Sequence, residues 1–302
     1  MNGRPIPAPV DHTPEAVLGE LAAHGAVLVR GAAAPRETFH ALGDALMEPL
    51  RHEYRLTAER DVVPGDPTTT TVTRGTAGLP LHREASYLPG APDLLTFHCV
   101  RPAAAHGLTT LCDGVAVLAA LEPALRTRLE RLEIVWETPV GPEHWPVLAG
   151  TSDRTAAIRS IRDWSAHLLP WQTIDATFEG DVMTVAFGTL CAPPTLFGGM
   201  PAFCTSLFVT DPEAGDYVEG RLRVRLADGA PFPGDVLRAL RHVADRLTVA
   251  VPWRAGDTVL VDNTRFMHGR QAFDDPARNV LVRMGHLRQA WMPMPAVGEA
   301  IR

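Results

Sequence analysis

Apolar residues recur at helical spacing in some parts of the chain and form short runs in others. One stripe, indicating a helix face packed in the core, contains Leu118, Leu121, Leu125, Leu129 and Leu132. Helices are predicted over residues 14–24, 35–50, 115–132 and 233–247. Strands are predicted, from β-branched or continuous apolar runs, over residues 68–73, 182–187, 202–208, 258–261 and 279–286.

Many short strands with a few helices beside them indicate a fold that is mainly β with flanking helices. The core expected from this order is a double-stranded β-helix, the jelly-roll or cupin-like arrangement. A length of 302 residues without internal repeats or low-complexity linkers predicts one domain spanning residues 1–302. The pattern blurs only around residues 140–170, which are rich in Trp and Pro. This stretch is predicted to be a mixed insertion that forms part of a lid.

Charge and composition limit which binding partners and which cellular compartment are expected. The 28 basic and 35 acidic residues give a net charge of −7, so no broad basic face indicates nucleic acid. The four cysteines lack the spacing of a metal site or a disulfide framework, which is typical of a reducing compartment. There is no apolar leader and no run of about 18 apolar residues, the length a membrane span needs. A cytoplasmic protein without membrane contact is therefore expected.

Two distant segments carry candidate metal ligands. His82 and Glu84 stand at positions i and i+2, so on a strand both point to one side. Either residue alone is more often structural or solvated. The distal segment favours a metal site instead. There the buried run at 258–261 leads to Asp262-Asn263 and then to His268. Two imidazoles and one carboxylate are the facial triad of non-haem Fe(II) oxygenases, which leaves positions open for co-substrate and O₂.

A second chemical signal follows the distal histidine. The run from Asn279 to Leu287 is of β type but carries Arg283 among apolar neighbours. An arginine on such a strand is costly unless it meets an anion. The simpler alternative is an arginine near a strand end that reaches solvent.

These segments occur in an order that resembles a known family. The chain is similar to the Fe(II)/2-oxoglutarate-dependent dioxygenases of the taurine dioxygenase-like (TauD/TfdA) family over most of its length. The His-x-Glu triplet, in place of His-x-Asp, is similar to clavaminate synthase-like amino-acid oxygenases. The segments that carry the resemblance are 18–31, 81–87, 92–102, 107–114 and 253–283.

The resemblance implies roles for individual residues. His82, Glu84 and His268 would ligate iron, and Thr109, 27 residues beyond His82, would contact a carboxylate of 2-oxoglutarate. The family usually has two arginines four residues apart after the distal histidine, of which the first holds the co-substrate.

This chain departs from the family pattern at the first arginine. Arg283 matches the second position, whereas Asn279 stands at the first and Arg278 one residue earlier. Strand alternation turns Arg278 away unless a bulge corrects the register. The co-substrate anchor is therefore either Arg278 or Arg283, and the position of Arg283 relative to His268 favours Arg283.

The implied reaction consumes 2-oxoglutarate and O₂, releases succinate and CO₂, and oxidises a small-molecule substrate by hydroxylation, desaturation or cyclisation. A polar, amino-acid-derived natural product is the expected substrate class. One alternative is another mononuclear metalloenzyme on the same barrel that does not use 2-oxoglutarate, such as a zinc hydrolase. A second is a non-catalytic binding protein that retains the fold. The sequence predicts no oligomeric state.

Overall fold

The computed structural model describes residues 6–9, 11–51, 60–210 and 222–292. The α-helices in these ranges are α1 Pro14–His24, α2 Pro35–Leu46, α3 Gly114–Ala119, α4 Pro123–Arg131, α5 Trp145–Ala149, α6 Arg154–Asp163 and α7 Gly234–Leu247. The strands are β1 Ala26–Val29, β2 Met47–Pro49, β3 Val62–Val63, β4 Asp66–Thr71, β5 Leu79–His82, β6 Leu94–Arg101, β7 Thr109–Asp113, β8 Glu133–Val140, β9 Thr173–Glu179, β10 Val182–Leu190, β11 Arg223–Leu226, β12 Val249–Ala250, β13 Thr258–Asp262, β14 Phe266–Arg270 and β15 Asn279–Leu287.

The strands form three antiparallel sheets. The largest joins β1, β13, β6, β15, β4 and β3 in that order, and β2 also pairs with β15. The second joins β12, β7, β14 and β5, and the third joins β11, β8, β10 and β9. The prediction of a mainly β fold with flanking helices is confirmed in these terms.

The first two sheets share an apolar core. Phe97 on β6 lies beside His268 on β14, with ring centroids 5.4 Å apart. The buried cluster between them includes Leu95, Cys99, Leu111, Val259, Val261, Val280 and Val282. Successive strands cross from the large sheet to the second one, as β4 does to β5 and β13 to β14. The strands that carry the metal motifs, β5 and β14, pair with each other in the second sheet.

Two predicted helices are confirmed almost to the residue. The first, α1, begins where the Thr13 hydroxyl accepts a hydrogen bond from the Ala16 amide, and it ends at Gly25. Gly25 has φ 78°, a left-handed conformation that favours glycine. The last helix, predicted over 233–247, is α7.

The other two predicted helices are shorter than their apolar patterns. The helix predicted over 35–50 ends at Leu46, because Met47–Pro49 pairs with β15 instead. The helix predicted over 115–132 divides into α3 and α4. Pro123 opens α4, since proline suits the first helical turn and has no amide hydrogen to continue the preceding helix.

The strand prediction at 202–208 is wrong, whereas the runs at 182–187, 258–261 and 279–286 lie in β10, β13 and β15. Residues 202–208 are irregular and lead into a short 3-10 helix, Leu207–Val209. The Phe203 amide donates to the Gly114 carbonyl. The run is apolar because it is buried against α3 and α7, and burial alone does not make a strand.

The stretch 140–170 is mostly helical. It contains α5, α6 and a 3-10 helix, Trp164–His167, and α6 packs on β9. Asp153 caps α6 through the Ala156 amide, and Trp145 and Ile161 are buried in a separate apolar cluster. None of these residues lines the cavity described below. The lid role stays a prediction.

All four cysteines are buried free thiols. Burial raises the pKa of Cys99, Cys112 and Cys191 to about 12, which makes these thiols unreactive. No helix in the described ranges is long and apolar enough to cross a membrane.

Candidate metal and co-substrate site

The three predicted metal ligands meet where β5 and β14 pair. His268 stands opposite His82 in the register, and their ring centroids are 4.2 Å apart. Glu84 lies in a turn just beyond β5, and its Oε2 is 3.7 Å from His268 Nε2. One ligand atom from each residue lies within 4.8 Å of the other two. Three donors therefore converge on one point, although Glu84 is not itself on the strand.

Asn263 holds the backbone of Glu84 from both sides. The Glu84 amide donates to Asn263 Oδ1 at 3.0 Å, and Asn263 Nδ2 donates to the Glu84 carbonyl at 3.1 Å. Nδ2 also donates to the Pro92 carbonyl at 2.7 Å. Asn263 is completely buried, so these bonds are shielded from water. Its place after β13 was evident from the sequence, but its contact with Glu84 depends on the fold.

We expect Asn263→Ala to weaken Fe(II) binding by about 10- to 100-fold, the usual cost of losing a residue that orients a metal ligand. Anaerobic Fe(II) titration measures the affinity, and urea unfolding shows whether the variant is folded. Asn279→Ala, at an exposed asparagine on β15, is the matched control. Native metal affinity in folded Asn263→Ala would show that the clamp on Glu84 does not matter.

The protonation states in the site suit a metal ion. His82 Nδ1 donates to the Pro80 carbonyl at 2.8 Å, which leaves Nε2 as the lone pair for an ion. Burial, and then the neighbouring His268, lower the pKa of His82 to about 3, so the ring is neutral. Burial alone would raise the pKa of Glu84, but Arg60 and the two imidazoles outweigh it and hold that pKa well below its usual range.

This donor set fits a divalent ion of the iron type. Neutral imidazoles and an ionised carboxylate are the ligand forms that such an ion needs. The buried Nδ1 of His268 has no hydrogen-bond partner within the described residues. His82, Glu84 and His268 would hold the ion.

A cavity opens beside the three ligands. Its walls are formed by Arg60, Val72, Thr73, Leu79, His82, Phe97, Thr109, His268, Gly269, Arg270 and Arg278. Two residues predicted to bind the co-substrate, Thr109 and Arg278, therefore share a cavity with two of the metal ligands, His82 and His268. Arg60 also reaches this cavity, although no sequence motif marks it.

Thr109 is buried on β7, opposite Arg270 on β14. Its hydroxyl oxygen accepts a hydrogen bond from Trp253 Nε1 at 3.1 Å. The hydroxyl hydrogen remains available as a donor to an acidic ligand. The position is consistent with contact to a carboxylate in the cavity.

Arg278 lies just before β15, two residues before Val280, which faces the core between the first two sheets. The pairing of β15 with β6 shifts register between Asn279 and Val280, as a bulge does. Arg278 Nε donates to the Gly107 carbonyl at 2.7 Å. Burial, and then the charge of Arg270, lower the pKa of Arg278 to about 10. In the described part of the chain no carboxylate forms an ion pair with Arg278, so a partly buried cation lines the cavity without an anion.

Arg283 lies elsewhere. Its guanidinium donates to the His40 carbonyl at 3.0 Å, to Asp44 Oδ1 at 2.6 Å and to Thr68 Oγ1 at 3.0 Å. It is absent from the cavity wall. The sequence favoured Arg283 as the residue that binds 2-oxoglutarate, and its position away from the cavity differs from that expectation. The physical reason is strand alternation: Val280, Val282 and Met284 face the core between the first two sheets, so Arg283 lies on the other face of β15, against α2 and β4.

We expect Arg283→Met to lower the free energy of unfolding by about 1.5–3 kcal/mol, the range for losing hydrogen bonds to a charged group. The requirement for 2-oxoglutarate should stay close to that of the wild type. Urea unfolding and a 2-oxoglutarate titration measure the two quantities. Arg246→Met, at an exposed position on α7, is the control. A large rise in the 2-oxoglutarate requirement without destabilisation would instead identify Arg283 as the residue that binds 2-oxoglutarate.

Comparison with known proteins decides the family. Residues 3–291 match the family described as "Taurine catabolism dioxygenase TauD, TfdA family". The chain belongs to the TauD/TfdA family. The resemblance seen in the sequence is thereby confirmed, and so is its assignment as a dioxygenase.

Individual relatives are distant. A clavaminate synthase-like protein of Arabidopsis thaliana is 25% identical over 215 residues, which cover 66% of this chain and 63% of that protein. A putative α-ketoglutarate-dependent taurine dioxygenase from Burkholderia xenovorans superposes with a TM-score of 0.61 and 14% identity, over 94% of this chain and 90% of the other. PvcB of Pseudomonas aeruginosa, described as an Fe, α-ketoglutarate-dependent oxygenase from an isonitrile synthetic pathway, gives 0.50 and 18%, over 93% and 82%. At these identities the structural matches show a shared fold.

Proposed function

We propose that this TauD/TfdA-family protein uses Fe(II), held by His82, Glu84 and His268, and 2-oxoglutarate, held by Arg278 and Thr109. The observation that carries the proposal is one cavity lined by two residues of the triad, His82 and His268, and by Arg278, a partly buried arginine without an anionic partner among the described residues. A buried cation of this kind is stabilised by an acid that arrives with a ligand.

The spacing between the metal ligands and the arginines of the cavity supports 2-oxoglutarate as the co-substrate. His268 and Arg270 are two residues apart on β14, so both project to one face at a separation of about 7 Å along the strand. Arg270 stands opposite Thr109, and the guanidinium carbons of Arg270 and Arg278 each lie 5.2 Å from the Phe273 ring centre. 2-Oxoglutarate has a carboxylate at each end of a short chain. One carboxylate would reach the ion while the other would meet Arg278.

The residues of the chain have distinct tasks in this reaction. Iron, when bound, supplies the reaction of 2-oxoglutarate with O₂ to give succinate and CO₂ and the oxidation of a substrate C–H bond. Arg278 and Thr109 orient the co-substrate, and Asn263 keeps Glu84 in place. The apolar side chains of Val72 and Phe97 keep water away from the oxidising centre.

Two finer assignments belong to the same proposal. We infer a double-stranded β-helix from the way successive strands alternate between the first two sheets. The substrate class is a small polar, amino-acid-derived natural product. The His-x-Glu triplet and the clavaminate synthase-like relative support this class.

The rival function is a mononuclear metalloenzyme that does not use 2-oxoglutarate. The triad alone permits it. The presence of Arg278 and the Thr109 hydroxyl in one cavity favours the co-substrate, because metal-dependent hydrolysis does not need a cation there.

Succinate formation tests the proposal without knowledge of the substrate. Purified protein supplied with Fe(II), 2-oxoglutarate and air should release succinate slowly through turnover uncoupled from substrate, and O₂ consumption should match it. Glu84→Ala is the control for iron released into solution. Succinate no higher than in that control would contradict the proposal.

A further inference from the structure

Arg60 is a cavity residue that the proposed reaction does not use. Its Nη2 donates to Glu84 Oε2 at 2.6 Å, and this is the oxygen that lies 3.7 Å from His268 Nε2. The guanidinium therefore stands at the edge of the triad. Its side chain is only 12% exposed.

Most of the hydrogen-bonding capacity of Arg60 is unused within the described residues. A guanidinium has five N–H donors, and the described residues accept only the bond from Nη2 to Glu84. The remaining N–H groups are available to a ligand in the cavity that Arg60 lines. A ligand that brings two oxygens in one plane would satisfy the fork of the guanidinium.

The charges of the cavity also favour an anion. The wall contains three arginines, Arg60, Arg270 and Arg278, and no Asp or Glu from the described residues, although Arg60 pairs with Glu84. Binding of a divalent ion adds positive charge and engages Glu84. 2-Oxoglutarate offsets only part of this excess, and its distal carboxylate is assigned to Arg278. Positive charge therefore remains beside Arg60.

The apolar residues that line the cavity with Arg60 indicate that the ligand also has a carbon chain. Val72, Leu79 and Phe97 form an apolar wall in the same cavity. A molecule with a carboxylate on Arg60 would lay its carbon chain against this wall, close to the open side of the triad. That carbon chain is where oxidation takes place.

We propose that Arg60 binds the α-carboxylate of a small amino-acid substrate and so determines its specificity. The inference rests on the proposed function and adds the charge of the substrate to it. Removing one partner of a buried arginine–carboxylate pair lowers affinity by roughly 30-fold to several thousand-fold.

The test is an anaerobic titration followed by visible absorption. Fe(II) and 2-oxoglutarate are added first, and the weak charge-transfer band that they produce reports on the proposed function. The L-amino acids and their uncharged α-carboxamides are then added one at a time, and shifts of the band are recorded. The proteins compared are the wild type, Arg60→Gln, Arg60→Lys and Arg162→Gln. Arg162 is an exposed arginine on α6 paired with Asp175, so its variant is the matched control.

At least one amino acid should shift the band while its amide does so at least about 30-fold more weakly. The same amino acid should bind Arg60→Gln at least about 30-fold more weakly, with Arg60→Lys between it and the wild type. Equal responses to acids and amides, no response to any acid, or native affinity in Arg60→Gln would each overturn the inference. So would loss of the initial band in Arg60→Gln alone, since Arg60 would then serve only to position Glu84. Absence of the band in the wild type would instead contradict the proposed function.

Discussion

Replacing His82, Glu84 or His268 by alanine is expected to reduce Fe(II)-dependent succinate formation to background while the protein stays folded. The three ligand atoms lie within 4.8 Å of one another, and within the described residues they are the one group of His, Cys, Asp and Glu side chains so arranged. With one donor removed, the two that remain hold an ion weakly. Succinate assays with circular dichroism and anaerobic Fe(II) titration measure activity, folding and metal affinity.

His144→Ala is the control for this series, because His144 is an exposed histidine that pairs with Glu143 and lies outside the cavity. It should behave like the wild type. A folded variant at position 82, 84 or 268 with near-native turnover would show that the residue is not a ligand.

Arg278→Ala is expected to raise the concentration of 2-oxoglutarate needed for turnover by about 30-fold to several thousand-fold. Arg278 is a largely buried cation whose guanidinium lies beside Phe273 and the Gly107 carbonyl, without a carboxylate partner in the described chain. Burial, and then the charge of Arg270, lower its pKa, so the charged form is disfavoured there and an incoming carboxylate would stabilise it. The uncoupled succinate assay over a range of 2-oxoglutarate concentrations measures the effect.

Arg278→Lys keeps the charge but loses the planar fork, so its requirement should fall between those of the wild type and Arg278→Ala. Arg283→Met serves as the comparison, since that arginine binds Asp44 and Thr68 instead. An unchanged 2-oxoglutarate requirement in Arg278→Ala would exclude Arg278 as the anchor.

The parts of the site that were predictable from the sequence are those set by local spacing. A strand ending at His82 with a carboxylate two residues later, and a buried strand leading to His268, were enough to predict the triad. The mainly β fold followed from the frequency of short apolar runs. The break in the helix at Pro123 was also visible in the sequence, but the continuous leucine stripe masked it.

Other features depend on contacts between distant segments. Whether Arg278 or Arg283 faces the cavity depends on which face of β15 packs against the second sheet, and no local pattern marks that face. Arg60 has no motif around it, and its role depends on meeting Glu84 across the fold. Asn263 contacts Glu84 although 179 positions separate them. The buried segment 202–208 has strand-like composition but no strand to pair with.

The most direct test of the central claim is the visible spectrum during anaerobic addition of Fe(II) and then 2-oxoglutarate. The wild type should develop a weak charge-transfer band that saturates with one Fe(II) per chain. The band should be absent in Glu84→Ala, and in Arg278→Ala it should need far more 2-oxoglutarate. A wild-type protein that binds Fe(II) but shows no band at saturating 2-oxoglutarate would contradict the claim that this cavity holds both.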